Sequence, residues 1–232
     1  MTGIALLVHG LSSDSESWWR VAPALEELGW DVITVDLRGH GLAARAESYS
    51  LREYARDLDD GWDLVVGHSL GGAASVLAAQ RPNFTRSLVL IDPVLDVPVA
   101  EQEAIMADQV AELSFTEESL ARDKPHWHEL DRAAKLTGVQ RVDPHAVVRT
   151  FTDTGRWDVT AEARALTVPT LIISGDPGVY TMLDPALARE LPAEYVVIEG
   201  AGHSPHRDRP DETLAALRSF LDRRVGGAGP RE

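Results

Sequence analysis

The chain has no cysteine. Disulfides, thiolate nucleophiles and cysteine-held zinc or iron–sulfur clusters are therefore excluded, and any covalent catalysis needs another nucleophile. Basic residues are also scarce: 22 Lys and Arg stand against 37 Asp and Glu, a net charge of −15. A surface that acidic repels phosphate backbones and anionic headgroups, which argues against nucleic-acid and membrane partners. No apolar run approaches the roughly 18 residues of a spanning helix. The amino terminus enters Ile4-Ala5-Leu6-Leu7-Val8 with no basic region or cleavage site before it, so the expected location is the cytoplasm. Nothing in the sequence specifies an oligomeric state.

What is present is an ordinary globular composition, 44% hydrophobic and 25% charged over 232 residues, enough for one domain or two small ones. Short runs of Val, Ile and Leu alternate with amphipathic stretches of ten to fifteen residues, the pattern of parallel strands covered by helices. Strands are expected at 4–8, 31–36, 62–67, 86–92, 168–174 and 194–198, and helices at 17–28, 51–59, 70–80, 184–191 and 209–222. The fold class is α/β, with a mostly parallel six-stranded sheet flanked by helices. Between Val94 and Thr167 only helical patterns occur, and a structureless loop of that length is improbable. The expected organisation is a core of residues 1–94 and 167–225, an inserted helical lid at 95–166 and a flexible tail at 226–232.

Asp63-Leu64-Val65-Val66 runs into Gly67-His68-Ser69-Leu70-Gly71 and then into an alanine-rich helical stretch: strand, tight turn, helix. In such a G-x-S-x-G elbow the serine takes a strained backbone conformation, and the flanking glycines let strand and helix approach. Ser69 is the candidate nucleophile, and His68 reads as its packing neighbour.

With His9-Gly10 after the first strand, Asp36-Leu37-Arg38-Gly39-His40-Gly41 after the second, the elbow, and Gly200-Ala201-Gly202-His203-Ser204 after the last strand, the chain resembles the α/β-hydrolase superfamily over nearly its whole length. It departs in starting at what would be the family's third strand, without the amino-terminal hairpin. The resemblance implies a serine hydrolase without a cofactor, with His203 as the general base and the backbone N–H groups of Leu11 and Leu70 as the oxyanion hole. His9 and His40 are assigned to shaping loops and His206 to solvent. His126 and His128, two residues apart, cannot share a helical face, so no metal site is expected there.

The triad acid stays open, chiefly between Asp176 and Asp92, with Asp184 and others behind them. Many relatives place it three residues after the glycine that ends the next-to-last strand; here that is Gly178. Asp176 serves if the Pro-Gly turn reshapes the loop. Asp92, ending the strand Leu88-Val89-Leu90-Ile91, matches the family's alternative acid position.

Trp127 and Phe151, with Phe115, Trp157 and Met106, either line an apolar pocket over Ser69 or form the lid's own core. Trp18 and Trp19, close behind the oxyanion loop, are further pocket candidates. Arg38, Arg45 and Arg52 leave an anionic handle open. The expected partner is a small-molecule substrate, a mostly apolar ester or lactone. Thioester, C–C bond and peroxidase-like chemistry would use the same residues, and a non-catalytic ligand-binding relative is the rival from another class.

Overall fold

A computed structural model describes residues 3–227. Six strands form one parallel sheet: β1 (Gly3–Val8), β2 (Trp30–Val35), β3 (Leu64–His68), β4 (Leu88–Ile91), β5 (Thr170–Ser174) and β6 (Glu194–Val197). Their spatial order is β2-β1-β3-β4-β5-β6. The chain winds outward from β1 to β2, returns across β1 to β3, and then proceeds in one direction. The order therefore reverses between β1 and β3, where the loops leaving the two strands open a crevice at the carboxyl edge of the sheet.

The central strands β3, β4 and β5 are buried along their whole length, because helices cover both faces. Side-chain alternation divides the core in two. Leu6 and Val8 of β1 join Leu51, Tyr54, Val76 and Phe151 on one face, whereas Ala5 and Leu7 join Trp18, Leu25, Leu217 and Phe220 on the other.

In the core lie α1 (Val21–Glu26), α2 (Leu51–Asp57), α3 (Leu70–Ala78) and, after β5, α9 (Pro185–Glu190), α10 (Pro205–Asp208) and α11 (Pro210–Gly227). Between β4 and β5 the chain forms α4 (Val99–Ala111), α5 (Glu117–Asp123), α6 (Glu129–Arg141), α7 (Pro144–Thr154) and α8 (Thr160–Arg164). Their starts are set by local chemistry: Thr116 and Ser119 form a capping box on α5, and Asp143 caps α7 with Pro144 in its first turn.

Two expectations are corrected. The helix expected at 17–28 is split into a 3₁₀ turn at Ser15–Trp18, capped by Asp14, and the shorter α1, whose first turn accommodates Pro23. The tail expected at 226–232 is helical through Gly227; its remainder lies outside the described residues. Among the described residues no helix is long and apolar enough to cross a membrane.

Candidate active site

Ser69 stands between β3 and α3 with φ 54° and ψ −117°, a conformation that L residues rarely adopt. The turn is over-determined by its surroundings. A methyl on Gly71 would lie 2.3 Å from the Val8 carbonyl oxygen, and one on Gly67 would lie 2.7 Å from that of Gly71. The Ser69 N–H donates to the Ile91 carbonyl at 3.1 Å, and the Ser69 carbonyl accepts from Ala73 and Val94. The hydroxyl is thereby held at the positive end of α3.

A continuous hydrogen-bonded chain leads away from that hydroxyl. Ser69 Oγ lies 2.9 Å from His203 Nε2, and His203 Nδ1 lies 2.6 Å from Asp92 Oδ2. With Nδ1–H donating to the carboxylate, Nε2 is free to accept the serine proton. Asp92 is fully buried and also accepts from the N–H groups of Gly175 and Met182, each at 3.0 Å, and from the hydroxyls of Ser174 and Thr181. These donors satisfy both oxygens and fix the plane of the carboxylate. Its backbone is itself in the left-handed region, at φ 38°, as the chain leaves β4 toward Pro93.

Of the two acids left open, the structure brings Asp92 to His203 and not Asp176. The Asp176 carboxylate accepts from the N–H groups of Gly178, at 2.8 Å, and Gly200, at 2.9 Å. Those bonds hold its pKa below the ordinary carboxylate range and tie the loop after β5 to the loop after β6.

The other histidines support this frame. His68 donates from Nε2 to the His203 carbonyl at 2.9 Å. His206, expected in solvent, is instead 3% exposed, with its ring 4.7 Å from that of His68 and 5.3 Å from that of Trp18. The one-turn α10 packs inward and carries it there, and burial drives both His68 and His206 well below their ordinary pKa. His9 donates from Nδ1 to the Gly10 carbonyl at 2.7 Å and accepts the Leu37 N–H at Nε2, at 3.0 Å. It thus pins the loop that carries Leu11, and burial lowers its pKa to about 4. His40 bonds the Arg38 carbonyl and is lowered to about 3. His126 bonds Asp208 while His128 caps α6, so the two do not share a site.

A cavity of about 410 Å³ opens over Ser69, bordered by Leu11, Leu70 and His203 and walled by Trp127, Phe151 and other apolar side chains. Among the described residues the backbone N–H groups of Leu11 and Leu70 have no hydrogen-bond partner.

Trp18 and Trp19 do not border the cavity. Trp18 is buried beneath the sheet beside His206, and Trp19 donates its indole N–H to Asp131 at 2.9 Å while its ring packs on His128. These two were pocket candidates by their proximity to the loop of Leu11, but the 3₁₀ turn faces them away from it. Arg38 is taken by Asp57 and Glu53, and Arg45 and Arg52 lie against Asp143 and Glu162. Three cations that sequence reasoning missed do border the cavity among the described residues: the half-buried Lys124 and, both buried, Lys135 on α6 and Arg207 on α10. No local signal marks them, since Lys135 reads as one polar residue of an amphipathic helix.

Parallel sheet, elbow and Ser–His–Asp chain together define an α/β-hydrolase. The alpha/beta hydrolase family model matches residues 5–217, and the chain belongs to that family. It is 31% identical over 251 residues to a 2-(acetamidomethylene)succinate hydrolase of Mesorhizobium japonicum, covering 94% of this chain and 88% of that one. To an esterase of Mycobacterium tuberculosis it is 29% identical over 255 residues, covering 94% and 83%. A crystal structure of E-2-(acetamidomethylene)succinate hydrolase is similar with a TM-score of 0.75 and 26% identity, covering 94% of this chain and 91% of that one. The protein is an enzyme of this hydrolase family.

Proposed function

We propose that the protein cleaves a small carboxylic ester or lactone through an acyl-enzyme on Ser69. The observation that carries this reading is the unbroken Ser69–His203–Asp92 chain opening into a walled cavity. His203 Nε2 takes the serine proton as Oγ attacks the carbonyl carbon, and the resulting oxyanion meets the N–H groups of Leu11 and Leu70. His203 then protonates the leaving alcohol. Water adds to the acyl-enzyme in the second half, giving its proton to His203, which returns it to Ser69 as the acid departs. Asp92 stays ionised throughout and holds the imidazole in the productive tautomer.

In this reading residues 95–166 act as a lid, and Trp127 and Phe151 form the wall that receives the apolar part of the substrate. A second reading, a scissile bond other than a simple ester, is favoured by the relative named as a 2-(acetamidomethylene)succinate hydrolase. The expected test result is labelling by a fluorophosphonate probe in the wild type and none in Ser69→Ala. Ser69→Ala should also lose about 10⁴ or more in turnover on p-nitrophenyl esters at an unchanged melting temperature. A chain that resists the probe and hydrolyses no ester or lactone of a graded panel would be a ligand-binding protein instead.

A further inference from the structure

Three cations border the cavity over Ser69, and they differ in how they are neutralised. Lys135 is paired with Glu112 at 2.6 Å and bonds the Ser12 carbonyl. Lys124 is half-buried, its ammonium 5.4 Å from the centroid of the Trp127 ring. Arg207 is 5% exposed, its guanidinium 5.0 Å from the centroid of that same ring. Among the described residues its side chain makes one hydrogen bond, to Ser13 Oγ at 3.3 Å, and its buried Nε has no partner. Among the described residues no carboxylate lies within ion-pair distance of it.

The carboxylates whose fields reach Arg207 are Asp131, Glu112, Asp208 and Asp14, and each is committed elsewhere. Asp131 accepts from Trp19 and Arg20, Glu112 from Lys135, and Asp14 from Arg141 and the Glu16 N–H. Asp208 accepts from His126, the Trp127 indole and the Gly202 N–H. A guanidinium remains charged at any ordinary pH, so the fields of these carboxylates offset its burial only in part, and its hydrogen-bonding capacity is left largely unused within the protein alone. It is also rigidly placed, four residues after His203 on α10, whose neighbour Asp208 is bonded back to Gly202.

We propose that Arg207 anchors a carboxylate carried by the substrate, so that the preferred substrates are monoanionic esters, such as half-esters of dicarboxylic acids, with an apolar spacer against Trp127 and Phe151. The planar fork of the guanidinium suits a carboxylate, and the stacked indole holds that fork in orientation. Asp108, Glu112, Asp123 and Asp208 also border the cavity and repel an anion, which disfavours binding of its carboxylate away from a cation. This inference rests on the Ser69 reading for the reaction but not for the binding.

The experiment therefore has a binding arm and a kinetic arm. In Ser69→Ala, glutarate should raise the melting temperature, and it should not do so in the Ser69→Ala/Arg207→Gln double variant. In the wild type, kcat/KM for mono-p-nitrophenyl glutarate should exceed that for p-nitrophenyl pentanoate, equal in carbon count, by tenfold or more. Arg207→Gln should cut this ratio at least tenfold, chiefly through KM, and Arg207→Lys should recover part of it. A wild type that prefers the neutral ester, or an Arg207→Gln that lowers both esters equally, overturns the proposal. The wild-type ratio keeps it falsifiable even if Arg207→Gln does not fold. Fluorophosphonate labelling of Ser69 without a glutarate shift would sink the anion site alone. A glutarate shift that depends on Arg207 in a chain that the probe does not label would sink the hydrolase reading alone.

Discussion

Asp92 shows how one residue can be fixed by both of its oxygens. Asparagine there would keep the size, but in either orientation its amide would set N–H₂ against a donor: Gly175 and Thr181 on one side, Met182 and His203 on the other. On the proposed assignment, Asp92→Asn should lower kcat by on the order of 10⁴ and also lower the melting temperature. Asp176→Asn, whose side chain only ties two loops together, should stay within about tenfold of the wild type. Turnover of p-nitrophenyl acetate with parallel thermal melts decides this. The contrast also marks what the sequence could convey. Ser69 and His203 lie in short motifs at strand ends, so their meeting at one edge of the sheet was legible. Which carboxylate reaches His203 was not, because the answer is a contact across 111 residues set by the loop that closes over Ser174 and Met182. That no carboxylate among the described residues pairs with Arg207 was hidden for the same reason: it depends on how α6 and α10 pack.

At the scale of elements, the helices between β4 and β5 do two things at once. Phe151 of α7 borders the cavity and also belongs to the buried cluster beneath it, its ring 5.3 Å from that of Trp157. Trp127 borders the cavity while its indole N–H bonds Asp208. Sequence reasoning offered wall and core as alternatives for these residues, whereas the folded chain uses one side chain for both. Phe151→Ala should therefore destabilise the protein by about 3–5 kcal/mol and also change the ratio of long-acyl to acetyl ester turnover. Trp127→Ala should shift the ratio as well, through loss of wall and of the support under Asp208. A lowered melting temperature at an unchanged ratio in both variants would remove these residues from the specificity surface. α6 reaches further, since a methyl on its Gly138 would lie 2.7 Å from Ser13 Cα, so this helix braces the loop that carries Leu11.

For the molecule as a whole, acid is the expected weakness. His9 and His40 are lowered to about 4 and about 3 by burial, and His68 and His206 well below 6.5. Each is protonated more readily in the unfolded chain, so the stability that it contributes is complete above pH 6.5 and is lost as pH falls toward the folded value. Asp14 works in the opposite sense: burial raises it to about 6, so it adds stability as pH falls through 6 toward 3.8. Four groups against one make the melting temperature fall between pH 6.5 and 4, and His40→Asn, with no charge to gain, should flatten that slope. A melting temperature constant over this range would contradict the neutral state of the buried histidines. The spacing of the site along the chain has its own consequence. Ser69 and His203 are 134 residues apart, and the loop bearing His203 follows the last strand of the sheet. A chain synthesised only through β5 therefore holds the elbow without the histidine that bonds Ser69. In refolding from urea, secondary structure measured by circular dichroism should return before fluorophosphonate labelling does, because a contact across 134 residues closes after the local ones. On the proposed mechanism, completion of the polypeptide is then what arms the serine, and a half-made chain leaves the substrates around it untouched.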